Sequence, residues 1–147
     1  MAADGHVIRL KLPSTFELLD IVQVLSDRLS AMAGLDEDAS HWVSVAVRES
    51  VINAIKHGNR EDHTKHVTIE FLLTPRVHPE QFIVEVEDEG EGFDPDAIAN
   101  PLDPENVLKS SGRGIFFMRS FLADVQLKRA PEGGMKVRMV KKLAASG

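Results

Sequence analysis

Residues 37–57, EDASHWVSVAVRESVINAIKH, carry apolar side chains around most of a helical circumference. A helix apolar nearly all round has to be covered on more than one side, so this one is expected to be a central element. It is entered near Asp36 and closed by His57-Gly58-Asn59. Its few polar residues are therefore informative. At about 100° per residue, Trp42, Ala46, Glu49, Asn53 and His57 fall in one narrow sector, and Glu49 and Asn53 stand i and i+4 on that face.

The elements around this helix follow from shorter patterns. Residues 6–12 alternate apolar and polar as an edge-like strand. Ser14 with Glu17 three positions on reads as a capping box, followed by a stripe of Leu18, Val22, Leu25, Leu29 and Met32 on a first helix that Gly34 terminates. Two strands are expected over residues 66–73 and 81–88. In the second, Phe82, Val84 and Val86 alternate with Ile83, Glu85 and Glu87. Asp88 shares the parity of the apolar set, which aims a carboxylate at the core side where the strand ends. Residues 89–113 form a long irregular stretch, of a length that is usually either functional or disordered. A short helix over residues 115–122 and a hairpin of strands 125–129 and 135–140 complete the order. The pattern predicts a two-layer α+β sandwich, with the helices on one face of a mixed, mostly antiparallel sheet.

The 147 residues are expected to form a single domain, and 43% hydrophobic content is enough for a substantial core. A formal charge of -6 argues against direct nucleic-acid binding. Without cysteine there are no disulfides or thiolate metal sites, and the histidines at 41, 63, 66 and 78 lack a zinc spacing. The N-terminal stretch does not read as a secretory signal, and no apolar run approaches the roughly 20 residues of a membrane span. A soluble cytoplasmic protein with no membrane contact is the expectation.

Three polar clusters need a chemical account. In ESVINAIKHG, Asn53 can offer a hard oxygen to Mg²⁺ and Glu49 can accept a proton from a nucleophile; a solvated helix face is the ordinary alternative. In DEGEG, Asp88 is a core-facing carboxylate that needs a donor, such as the exocyclic amine of adenine. Gly90 and Gly92 permit close backbone approach or positive φ, while Glu87, Glu89 and Glu91 read as a solvated rim. In SGRGI, Gly112 and Gly114 can bring N–H groups to phosphate oxygens at a helix start, with Arg113 beside them. Taken singly, the last two clusters also pass as an acidic turn and a loop tip.

Together and in this order, the clusters resemble the three boxes of the GHKL (Bergerat-fold, histidine-kinase-like) ATPase and kinase superfamily. The chain looks closest to the small bacterial anti-sigma factor serine/threonine kinases, with ESVINAIKHGN, DEGEGFDP and SGRGIFFMRSFLADV in the box positions. The resemblance implies that Asn53 holds Mg²⁺ on ATP and that Glu49 is the general base. It implies that Asp88 contacts adenine with Gly90 and Gly92 shaping the pocket, and that Gly112, Arg113 and Gly114 lie at the triphosphate. Residues 94–111 would be the ATP lid. Implied partners are a sigma factor, an anti-anti-sigma (STAS-type) protein phosphorylated on Ser or Thr, and a second copy in a homodimer. Residues 94–108 contain no lysine or arginine. This keeps open a non-catalytic, nucleotide-responsive binding regulator as the alternative.

Overall fold

A computed structural model of the chain describes residues 5–90, 124–131 and 133–143. In order, it places β1 (His6–Pro13), a 3-10 turn (Phe16–Leu18), α1 (Leu19–Met32), α2 (Glu37–Asn53), a π-turn (Ala54–Gly58), β2 (His66–Thr74), β3 (Gln81–Glu87), β4 (Asp124–Arg129) and β5 (Met135–Lys142). The expected helix over 115–122 and the long stretch from 91 onward lie outside the described residues. No described helix is long and apolar enough to cross a membrane.

The five strands form one sheet in the order β1-β2-β3-β5-β4, and every described pairing is antiparallel. β1 is an edge strand, as its alternation suggested. The β4–β5 hairpin folds back so that β5 lies against β3. Alternation along β2 sends Val67, Ile69, Phe71 and Leu73 inward, all at most 3% exposed. Phe71 stacks on Phe82 of β3 at a centroid distance of 6.2 Å. Burying each such ring is worth about 1.5–3 kcal/mol.

α2 is covered twice, by α1 on one side and by the sheet on the other. Val43, Ala46 and Val47 face Phe82 and Val84 of β3 and Met139 of β5 across a narrow gap. Ser50 avoids the usual penalty of a buried hydroxyl, because its Oγ donates to the Ala46 carbonyl at 2.9 Å and lies 3.3 Å from Met139 Sδ. Asp36 caps α2 by accepting the Ala39 N–H at 2.8 Å.

α1 departs from its expected details at both ends. Ser14 is not a helix cap: it is fully buried, and its Oγ donates to the Lys65 carbonyl at 2.8 Å. The cap is Thr15, which accepts the Glu17 N–H at 3.4 Å. The expected apolar stripe holds in part, with Val22 and Leu29 buried and Leu25 packed against the core. Leu19, Val22, Ser26, Leu29 and Ser30 face inward, while Met32 is 60% exposed. Two small polar residues thus occupy core positions that hydrophobic periodicity passes over. Gly34, at φ +80°, ends the helix as expected. Its N–H reaches the Ala31 carbonyl and the Leu35 N–H reaches that of Ser30, the paired bonds of a Schellman motif.

The opposite face of the sheet carries charge in registered rows. Arg9, Glu70, Glu85 and Arg138 align across four strands. Arg9 contacts Glu70 at 2.6 Å, and Glu85 contacts both Arg138 at 3.0 Å and Lys136 at 3.3 Å.

Candidate functional site

The helix carrying Glu49 and Asn53 changes pitch immediately after Asn53. Residues Ala54–Gly58 form one π-turn, closed by the Asn59 N–H on the Ala54 carbonyl at 2.8 Å. Such turns are rare and recur at functional sites. This one delivers Gly58 to the end of β3, directly against Asp88. A Cβ added at Gly58 would stand 2.2 Å from Asp88 Oδ2.

Asp88 is 7% exposed, on the inward side that strand parity predicts. Its N–H donates to the Met135 carbonyl at 2.9 Å. Its Oδ1 accepts the Met135 N–H at 3.1 Å and the Gly90 N–H at 3.0 Å. Burial raises its pKa above the ordinary carboxylate value, against the opposing pull of those two N–H groups and the Lys65 charge. Two more glycines enclose it. A Cβ at Gly90 would fall 2.0 Å from the Gly58 carbonyl, and one at Gly134 would fall 1.9 Å from the Asp88 carbonyl. None of these three glycines has positive φ, a conformation kept by Gly34 and Gly133 among the described glycines. Close backbone approach, rather than left-handed geometry, requires glycine at these positions. Gly90 was expected on those grounds and Gly58 as a structural end to its helix; Gly134 was not singled out.

Glu49 and Asn53 are half-buried, one turn apart on α2. Their side chains hold no hydrogen bond or ion pair among the described residues. Asn53 precedes the π-turn that ends at Gly58, so the helix connects the Glu49–Asn53 pair to the Asp88 enclosure through 5 residues. Gly92, Gly112, Arg113, Gly114 and the lid at 94–111 lie outside the described residues.

Three residues that the spacing arguments missed hold this region together. Asn59 is 1% exposed. Its Nδ2 donates to Ser14 Oγ at 2.7 Å and to the His66 carbonyl at 2.9 Å, and its Oδ1 accepts the Glu89 N–H at 2.8 Å. Glu89 is not merely solvated charge. Its carboxylate accepts the His66 N–H and lies 3.2 Å from His66 Nδ1, and these contacts, the backbone bond foremost, hold its pKa below the usual glutamate value. Ser14, Asn59 and Glu89 therefore clamp the starts of α1 and β2 to the end of β3.

A groove of about 620 Å³ also opens on the charged outer face of the sheet, between Arg9, Glu70, Glu87 and Lys136. It reaches Asp88 and Gly134 from behind but lies across the sheet from α2, so Glu49 and Asn53 do not line it.

Comparison with known proteins places the chain in a family. The chain is 25% identical over 147 residues to the serine-protein kinase RsbW of Listeria monocytogenes serovar 1/2a, covering 96% of this chain and 90% of that protein. It is 27% identical over 149 residues to the serine-protein kinase RsbW of Bacillus subtilis, covering 97% and 89%. Among solved structures, the RsbU and RsbW domains of Rv1364c from Mycobacterium tuberculosis match with a TM-score of 0.65 at 16% identity. That match covers 94% of this chain and 32% of the longer one, and it bears on the fold. The profile of the histidine kinase-like ATPase domain matches residues 12–141, which include both α2 and the Asp88 enclosure, and the chain belongs to that family.

Proposed function

We propose that this protein is an ATP-dependent serine/threonine kinase of the anti-sigma type. On this reading it binds Mg·ATP, holds a sigma factor, and phosphorylates an anti-anti-sigma (STAS-type) protein. The observation that carries the nucleotide reading is the Asp88 enclosure. Oδ1 is committed to two backbone N–H groups, while Oδ2 holds no hydrogen bond among the described residues. A buried carboxylate with acceptor capacity left selects a donor, and the adenine amine is a planar one that close-set glycines can admit. The serine-kinase part draws its support from the RsbW relatives, which align along nearly the whole chain.

The residues present also suit a magnesium ion. Mg²⁺ is commonly held by one or two oxygen side chains together with substrate phosphates, and Asn53 supplies one neutral oxygen beside the carboxylate of Glu49. When bound, Mg²⁺ neutralises charge on the transferring phosphates. Glu49 takes the proton of the acceptor hydroxyl as the serine oxygen bonds to the γ-phosphorus and the bridging P–O bond to ADP breaks. Asp88 fixes the nucleotide at its base end, so catalysis rests on positioning. The expected glycines and arginine at 112–114 complete the phosphate side of this reading, and a homodimer is the expected assembly.

The test is transfer of labelled γ-phosphate to purified anti-anti-sigma proteins from the same genome, read as phosphoserine or phosphothreonine. Glu49→Gln should abolish transfer while preserving ATP affinity, and Asn53→Ala should remove the Mg²⁺ dependence of binding. ATP binding with no transfer to any acceptor would replace this reading with a nucleotide-responsive binding regulator, which the absence of lysine and arginine from 94–108 favours. No ATP binding at all would overturn both.

A further inference from the structure

We infer that Asn59 is a positioning residue for nucleotide-base recognition, setting Asp88 and its Gly58 wall in one fixed relation. Its backbone and side chain act on the two sides of the same enclosure. Through its backbone, Asn59 closes the π-turn on Ala54 at 2.8 Å, immediately after Gly58, whose Cα packs on the Asp88 carboxylate. Through its side chain, Oδ1 accepts the N–H of Glu89 at 2.8 Å. That N–H belongs to the peptide plane leaving Asp88, so the bond fixes the backbone turn from which the carboxylate is presented.

The remaining attachments make this a rigid reference. Nδ2 spends both its protons, on Ser14 Oγ and on the His66 carbonyl, so the amide orientation is determined by its partners. With the residue 1% exposed, water does not compete for those bonds. Asp88 itself is held from the β5 side by Met135 and from ahead by Gly90. Asn59 supplies the hold from the helix side, and through the π-turn it ties Asp88 to the helix that carries Asn53 and Glu49. A buried side chain can stabilise a fold without affecting recognition. Here its Oδ1 accepts from the N–H of the residue next to the recognition carboxylate, so its loss lets the Asp88–Glu89 peptide turn and shifts the carboxylate, with its Met135 and Gly90 donors, relative to the Gly58 wall.

This inference rests on the reading of Asp88 as the adenine contact, and the experiment separates the two. Affinity is measured by calorimetry for ATP and for purine riboside triphosphate, which lacks the 6-amine, with values referred to the folded fraction. The wild type should favour ATP by roughly 10–100-fold, the worth of a hydrogen bond to a charged group. Asn59→Ala and the smaller perturbation Asn59→Ser should bring that ratio close to one while both triphosphates still bind. Ile69→Val serves as the structural control. It removes one buried methyl from the inward face of β2 and none of the hydrogen bonds of Asn59, so it should lower thermal stability and leave the ratio intact. A wild-type ratio near one would overturn the Asp88 reading itself. A wild-type preference retained in Asn59→Ser, or lost equally in Ile69→Val, would overturn the positioning role.

Discussion

Gly58 and Asp88 are in such close contact that a Cβ on the first would lie 2.2 Å from Oδ2 and 2.4 Å from Cγ of the second. The end of the π-turn and the end of β3 are thus fitted to each other at one glycine and one carboxylate. Gly58→Ala must displace a carboxylate anchored by two N–H groups, which costs about 1–3 kcal/mol of stability by overpacking. In an Asp88→Gly background the obstructing atoms are gone. A double-mutant cycle on the two changes should therefore show relief of about 0.5–3 kcal/mol, as expected for residues in contact. Additive costs in chemical denaturation would mean that the two residues do not constrain one another.

Asp88→Asn separates function from folding. Burial raises the folded-state pKa of Asp88, so the wild type loses stability as pH rises through the ordinary carboxylate range to the folded value. The asparagine does not titrate. Relative to the wild type, the variant should gain stability across that window and run parallel to it on either side, as read from melting temperature against pH. Nucleotide affinity should move the other way. An amide nitrogen at the position of Oδ2 meets the adenine amine donor to donor, a loss on the order of 10–100-fold by calorimetry.

The neighbouring acid has the opposite sign. Contacts with His66 lower the folded-state pKa of Glu89, so its contribution is present above the ordinary glutamate range and is lost as pH falls through the folded value. Glu89→Gln should be less stable than the wild type near neutrality and equal to it in acid. Because the Glu89 side chain is 44% exposed, the difference should stay under about 1 kcal/mol and shrink at high salt. A difference that grows towards low pH would contradict the assignment.

These contrasts explain which features the sequence disclosed. The inward aim of Asp88 was legible because a strand repeats every 2 residues, and parity carries one residue past the end of β3. The double cover of α2, the stop at Gly34 and the cap at Asp36 were legible for similar reasons, since each is a local pattern. Asn59, Ser14 and Glu89 left no such pattern. Asn59 bonds Ser14 across 45 positions and Glu89 across 30, and no spacing rule relates residues that distant. Ser14 in fact misled, because a serine three residues before a glutamate has the form of a helix cap. Gly90 was legible by cause as well as by type, whereas the space that requires glycine at 58 and 134 is made only when folding brings Asp88 against them. The switch to π geometry after Asn53 has no counterpart in hydrophobic periodicity.

The buried serines of the two helices provide the last test. Ser26 and Ser30 on α1 are fully buried, and neither hydroxyl has a hydrogen-bond partner among the described residues. Ser50 on α2 is equally buried, but its hydroxyl bonds to the Ala46 carbonyl. Removing an unsatisfied buried hydroxyl relieves a desolvation cost, whereas removing a satisfied one forfeits a bond. Ser26→Ala and Ser30→Ala should therefore each raise stability by about 1 kcal/mol, and Ser50→Ala should lower it by about 1 kcal/mol. Urea denaturation with unchanged slope would read both directly. If Ser26→Ala and Ser30→Ala destabilise the protein as Ser50→Ala does, the hydroxyls on α1 hold bonds that this structure does not contain, and the inward face of α1 is packed differently from the arrangement described above.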